Sequence, residues 1–184
     1  MNDIIKNIKE RRSIRKFKEE QIKEEEIQTI IEAGIYAPSA HNQQPWHFTV
    51  IQNKNIISEM NEESKKAMKN HSDEWIAKLG NNEKFDIHYN APTVILVSGK
   101  KDCYSPIVDV SAAIQNMLLA ADSIGVGSCW VGLSKFGLIE EDKVKQFNIP
   151  DGYEPYYTVA LGYKALDKKQ NAPKRNEDVV NYIK

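Results

Sequence analysis

The segment DVSAAIQNMLLAADSIG, residues 109–125, reads as a helix that cannot lie on a surface. Val110, Ala112, Ala113, Ile114, Met117, Leu118, Leu119, Ala120, Ala121 and Ile124 spread around nearly its whole circumference. A helix that is apolar all round must be covered all round. A chain of 184 residues holds one domain with a real core, but little material to enclose a helix completely. A partner subunit is the natural cover.

Around that helix the chain offers shorter signals. Apolar spacing predicts a helix over 2–12 with Ile4, Ile5 and Ile8 on one face, and another over 23–36 with Ile27, Ile30, Ile31 and Ile35, which Pro38 stops. SIRKF, residues 13–17, alternates polar and apolar side chains as an extended stretch does. WHFTVIQ (46–52) and YYTVALGY (156–163) read as strands, APTVILVS (91–98) as a buried central strand, and SCWVGL (128–133) as an extended return after Gly125 and Gly127. Residues 54–88 are polar and helical in pieces, and a charged helix is expected near 138–147. Helices and strands interspersed without strict alternation point to an α+β class.

Composition removes several functions. A formal net charge of -1 argues against nucleic acid as the main partner. The first 18 residues do carry seven Lys or Arg against two acids, an excess of five, but the acidic KEEEIQ (23–28) lies beside them. No apolar run is long enough to span a bilayer, and the charged start lacks a signal-peptide apolar region, so no membrane role is expected. Two cysteines cannot make a disulfide framework, which favours a reducing cytoplasm. The four histidines lack metal-ligand spacing, and no metal site is expected.

Two clusters carry chemistry. In ERRSIRKF, residues 10–17, Arg11, Arg12, Ser13 and Arg15 stand at a helix-to-strand junction. An extended stretch puts i and i+2 on one side, so Arg11, Ser13 and Arg15 could converge on one phosphate, whose oxygens suit the planar guanidinium fork. The competing reading is a helix C-terminus attracting cations through its dipole, worth ~0.3–1 kcal/mol each. In APSAHNQQPWHF, residues 37–48, the amides of Asn42 and Gln44 each offer a donor and an acceptor, which suits the pyrimidine edge of a flavin. Capping of neighbouring backbone is the commoner use of such side chains. Trp46 reads as core, and His41 and His47 as structural or solvent-facing. GVGSCWVG, 125–132, is no dinucleotide fingerprint, because its G-x-G lacks the third glycine and follows a helix. In APKRN, 172–176, Lys174 and Arg175 read by default as solvated surface.

Taken in order, these motifs resemble the nitroreductase family of FMN-dependent oxidoreductases: Arg-Arg-Ser-x-Arg, then PSAHNQQPW, a small-residue apolar helix, Gly-x-Gly-x-x-Trp-x-Gly and a late basic pair. The resemblance runs from about residue 4 to 178. It implies a sandwich with a central, mainly antiparallel sheet flanked by helices. It also implies an intertwined homodimer with FMN at the subunit interface. The whole chain, 1–184, would be one FMN-binding domain, with 163–184 an extension reaching the partner. Arg11, Ser13 and Arg15, with Arg12 nearby, would hold the phosphate and ribityl chain. Pro38, Ser39, Ala40, Asn42 and Gln44 would meet the flavin from the opposite subunit. Trp130, Val131 and Gly132 would lie against the ring, and Lys174 or Arg175 would complete the phosphate clamp. Val131 stands where some members carry Glu. Lys69 and Asn70 are the nearest match to an Asn and a Lys that meet flavin in many members, and receive no role.

The implied activity is a two-step cycle in which NADH or NADPH reduces the flavin at N5 and leaves. An electron-poor small molecule, nitroaromatic or quinone-like, is then reduced in its place. No side chain need act as nucleophile, because the cofactor carries the chemistry. Alternatives are a dedicated ene or dehalogenating reductase, a non-catalytic flavin-binding protein, and a nucleic-acid module using the basic N-terminus.

Overall fold

Strands send alternate side chains to opposite faces, and in this sheet both faces are apolar. The computed structural model describes residues 2–138, 144–166 and 171–184. Its strands are β1 (Trp46–Ile51), β2 (Thr93–Lys100), β3 (Val126–Val131) and β4 (Tyr153–Tyr163), antiparallel throughout in the order β1-β2-β4-β3. Ile95, Val97, Val126, Val159 and Leu161 look to one side, where the main core forms with α2 (Glu24–Ile35) and α5 (Pro106–Ser123). Val94 and Leu96, with Cys129, Val131 and Ala160, look to the other, toward α3 (Lys54–Met68) and α4 (Glu74–Gly80). The α+β sandwich expected from the sequence is the fold observed.

The apolar helix is real and central, with Val110, Ala113, Ile114, Met117 and Ala121 fully buried by the chain's own elements. Its Ile107 and Val108 remain outside that core, the latter 63% exposed. Beside it stands α1 (Asp3–Glu10), held by Asn7 Nδ2 donating to the Leu119 carbonyl at 2.9 Å. The three isoleucines of α1 lie on one face as expected, yet the chain leaves all of them uncovered, Ile4 at 68%.

Polar groups set the remaining joints. Glu26 accepts from the Lys23 backbone N–H at 2.7 Å and from the Tyr163 hydroxyl at 2.7 Å, tying the start of α2 to the end of β4. Asn53 and Asp73 cap α3 and α4, the two pieces into which the polar 54–88 stretch divides. The charged helix expected near 138–147 is only partly open to view. Residues 139–143 lie outside the described residues, and Lys145–Phe147 form a 3-10 turn ending at Asn148, whose φ is 50°. SIRKF does not extend the sheet as a strand; it makes two isolated bridges, Ser13 to Ser128 and Phe17 to Lys164. It crosses β3 and β4 over Gly127 and Gly162, where an added Cβ would meet Ile14 at 3.0 Å and Phe17 at 3.0 Å respectively.

His88 is fully buried with Nε2 3.1 Å from Thr158 Oγ1, while Nδ1 has no partner. Burial pushes its pKa from 6.5 down to about 4, with Asp86 pulling the other way. On acidification the unfolded chain takes up this proton first. Stability present at neutral pH is therefore lost between pH 6.5 and 4, a loss of about 3 kcal/mol. His88→Gln keeps a polar group opposite Thr158 and cannot titrate. Urea unfolding at pH 7 and 4.5 should show a shallower loss in the variant, and parallel losses in both proteins would contradict the assignment.

Candidate functional site

The first cluster forms where α1 ends. Arg12 closes that end, its Nη1 donating to the carbonyls of Lys9 at 2.8 Å and Arg11 at 2.6 Å. The helix predicted over 2–12 stops at Glu10 because these carbonyls are satisfied by a side chain. For Arg12 the helix-terminus reading holds. The chain then turns extended, Ile14 N–H donates to Ser128 O at 2.9 Å, and Ser13 is fixed beside β3.

Arg11 and Arg15 converge. Both guanidinium charges act to lower the pKa of the buried Cys129 thiol, although burial prevails and raises it. Arg15 reaches over Tyr89, with its guanidinium carbon 5.7 Å from the ring centre. Hydrogen bonding to the Tyr89 phenol raises the arginine's pKa, and burial works against it. Arg11 Nη1 and Arg12 Nε are buried with no hydrogen-bond partner. A buried guanidinium N–H needs an acceptor, most favourably an anionic one.

The second cluster is a strained loop. A 3-10 turn at Ala40–Asn42 carries positive φ at His41 (51°) and Asn42 (54°), and Gln44 follows at 47°. Non-glycine residues reach this region rarely, and each such residue costs on the order of 1–3 kcal/mol. Side chains brace the shape. Ala40 N–H donates to Asp109 Oδ1 at 3.1 Å, Gln44 N–H to Ser39 Oγ at 3.0 Å, and Tyr104 N–H to Gln43 Oε1 at 2.8 Å. Gln44 Nε2 also donates to Asn42 Oδ1 at 3.1 Å. That pairing engages one group of each amide and turns both side chains into a joint donor–acceptor edge. Pro38 is exposed, His41 packs edge-on to Tyr104, and Trp46 is core, as the sequence reading has it.

Trp130 and Val131 end β3, and Gly132 opens the 3-10 turn Gly132–Gly137. A Cβ at Gly132 would meet nothing within 4 Å, so this backbone borders open space. Trp130 packs edge-on to Tyr157 with ring centres 5.3 Å apart. Lys174 and Arg175 lie on the exposed stretch 171–184, and among the described residues no hydrogen bond or ion pair joins them to the arginine cluster. Lys69 ends α3, where its carbonyl accepts from Asn81 Nδ2 at 3.0 Å. Among the described residues no group of three or more His, Cys, Asp or Glu is placed to hold a metal ion.

One chain thus joins the arginine cluster to Trp130–Gly132 along β3. The amide loop belongs to β1, at the opposite edge of the sheet. Three interstrand spacings, about 14 Å, separate the two edges. Asp109 and Tyr89 were missed by the sequence reading. A lone acid in the first turn of an apolar helix looks like ordinary dipole compensation, and no sequence signal marks a tyrosine with positive φ.

A family model described as the nitroreductase family matches residues 8–163. A crystal structure of a nitroreductase with bound FMN from Bacteroides fragilis NCTC 9343 superposes with a TM-score of 0.90, at 31% identity and full coverage of both chains. A protein of Methanothermobacter thermautotrophicus, provisionally named NADH dehydrogenase/NAD(P)H nitroreductase, is 33% identical over 89% of this chain and 78% of its own length. The FMN reductase (NADPH) of Bacillus subtilis is 27% identical over 95% of this chain and 72% of its own.

Asp109 is 4% exposed, and its second carboxylate oxygen has no partner, so its side chain is held in the loop through the Ala40 N–H. Asp109→Ala should free the loop at a cost of about 1.5–3 kcal/mol, the range for a hydrogen bond to a charged group. Amide hydrogen exchange should accelerate across 39–44 and stay unchanged in β2. Unchanged protection at Ala40 would show that the carboxylate is not the anchor.

Proposed function

The chain belongs to the nitroreductase family, and on that footing we propose that two copies share a pair of FMN sites, at which electrons pass from NADH or NADPH to an electron-poor nitroaromatic or quinone-like acceptor. It is an FMN-dependent NAD(P)H oxidoreductase. The observation that carries the shared site is the separation of its two recognition clusters onto opposite edges of one sheet. A second copy related by a twofold axis, with its α1 and α5 side against that of the first, would bring each copy's β1 loop to the other's β3 edge and so complete two equivalent sites. The exposed isoleucines of α1 and the outward Ile107 and Val108 of α5 supply an apolar face for that pairing.

The residues present fit the cofactor. Arg11, with its buried unpartnered Nη1, and Arg15 would hold the phosphate, whose charge near neutral pH is about -2. Ser13 and Arg12 fix the backbone that carries them. Asn42 Nδ2 and Gln44 Oε1 are the free halves of the paired amides, and would face the acceptors and the donor of the pyrimidine edge. Pro38, Ser39 and Ala40 would border the ring in the shape that Asp109 maintains. Trp130, Val131 and Gly132 would meet the ring through backbone, with Gly132 leaving room for it. Lys174 or Arg175 would join the phosphate clamp once the 163–184 extension lies on the partner. FMN in this site supplies hydride acceptance from the nicotinamide and its onward transfer. The protein's own part is to bind, to orient, and to place donors where negative charge develops.

Purified protein should be yellow and dimeric, and should bleach without oxygen when NADH or NADPH is added. A flavin that stays oxidised with both donors would leave a binding protein rather than a reductase. Arg15→Glu should weaken FMN by roughly a hundredfold or more, since it exchanges a charge-assisted bond for repulsion, and should leave far-ultraviolet circular dichroism unchanged. Stoichiometric flavin in that variant would refute the phosphate assignment.

A further inference from the structure

Tyr89 has a backbone conformation that its side chain disfavours. Its φ is 58°, and Asn90 follows at 55°. Asparagine is at ease there, whereas a bulky aromatic is an outlier whose persistence calls for an explanation. The turn is held from below by one carboxylate: Asp86 Oδ1 accepts from His88 N–H at 2.8 Å and from Asn90 N–H at 3.1 Å. Tyr89 N–H donates to Asp86 O at 3.1 Å, and the Tyr89 ring is wedged edge-on against Phe85 with centres 6.2 Å apart. These contacts fix the ring before Arg15 is considered.

The ring then meets Arg15, whose guanidinium carbon lies 5.7 Å from its centre, and the phenol acts to raise the arginine's pKa. Arg15 is otherwise a long exposed side chain with many rotamers, and holding it in one of them costs entropy. We propose that Tyr89 is a positioning residue, whose strained turn exists to hold the Arg15 guanidinium in place for the cofactor phosphate. The proposal rests on the assignment of Arg15 to that phosphate. It gives part of the polar 54–88 stretch and its exit a task in cofactor binding.

FMN and riboflavin differ only in the phosphate, so a residue acting through Arg15 affects the first and spares the second. The full-length protein, stripped of flavin, is titrated with each ligand by fluorescence quenching. Tyr89→Leu should weaken FMN about tenfold, the scale expected when the cation–π contact and the phenol's effect on the guanidinium are both lost, and leave riboflavin unchanged. Tyr89→Phe keeps the ring and should weaken FMN by a few-fold only, and it supplies the answer if the leucine variant does not fold. In an Arg15→Gln background neither change at Tyr89 should matter further. Equal weakening of FMN and riboflavin, or no weakening of either, would overturn the positioning role. If Arg15→Gln itself binds FMN and riboflavin as the parent protein does, the phosphate assignment fails instead, and the two failures are told apart.

Discussion

The strand order β1-β2-β4-β3 is the constraint on which the rest depends. It places the PSAHNQQPW loop and the arginine segment on opposite edges of a sheet whose faces are both occupied by helices and apolar side chains. On one edge Arg11 and Arg12 hold buried N–H groups without acceptors, and on the other Gln44 and Asn42 pair through one group of each amide. In the proposed twofold pair, what one chain's cluster lacks would be supplied by the other chain's. Within one chain the isoleucine face of α1 stays exposed, and the proposed pair would cover it.

Two turns are built with strain, and each rests on a buried or half-buried carboxylate. Asp109 holds a loop with positive φ at His41, Asn42 and Gln44, while Asp86 holds a turn with positive φ at Tyr89 and Asn90. Left-handed backbone survives only where its surroundings over-determine it. In each case the over-determining group is an acid accepting from backbone N–H, an interaction roughly twice as strong as a neutral hydrogen bond. The geometry of each turn is thereby set by the chain's own contacts.

Much of this was legible in the residues. The all-round apolar helix read over 109–125 is α5, Pro106–Ser123, and its central burial follows from its composition alone. Strands rich in β-branched residues were placed to within a few positions. The end of α1 was missed because the cap is a side chain, Arg12, that reaches backward, and no residue-type rule distinguishes it from Arg11. SIRKF alternates like a strand, but it is a crossing segment, since glycines in β3 and β4 let it lie on the sheet face. Asp86, Tyr89 and Asp109 act through tertiary contacts and backbone dihedrals, which periodicity does not encode.

The central claim is that each cofactor site takes its arginines from one chain and its amide loop from the other. Mixed dimers test it most directly. One chain carries Arg15→Glu, the other carries Asn42→Glu, each with a different affinity tag, and heterodimers are purified through both. If sites are shared across the interface, one site receives both lesions and the other receives none. The heterodimer should then hold half the parental flavin per chain, although either variant alone holds almost none. If each chain builds its own site, both sites are damaged, and a heterodimer without flavin would contradict the account.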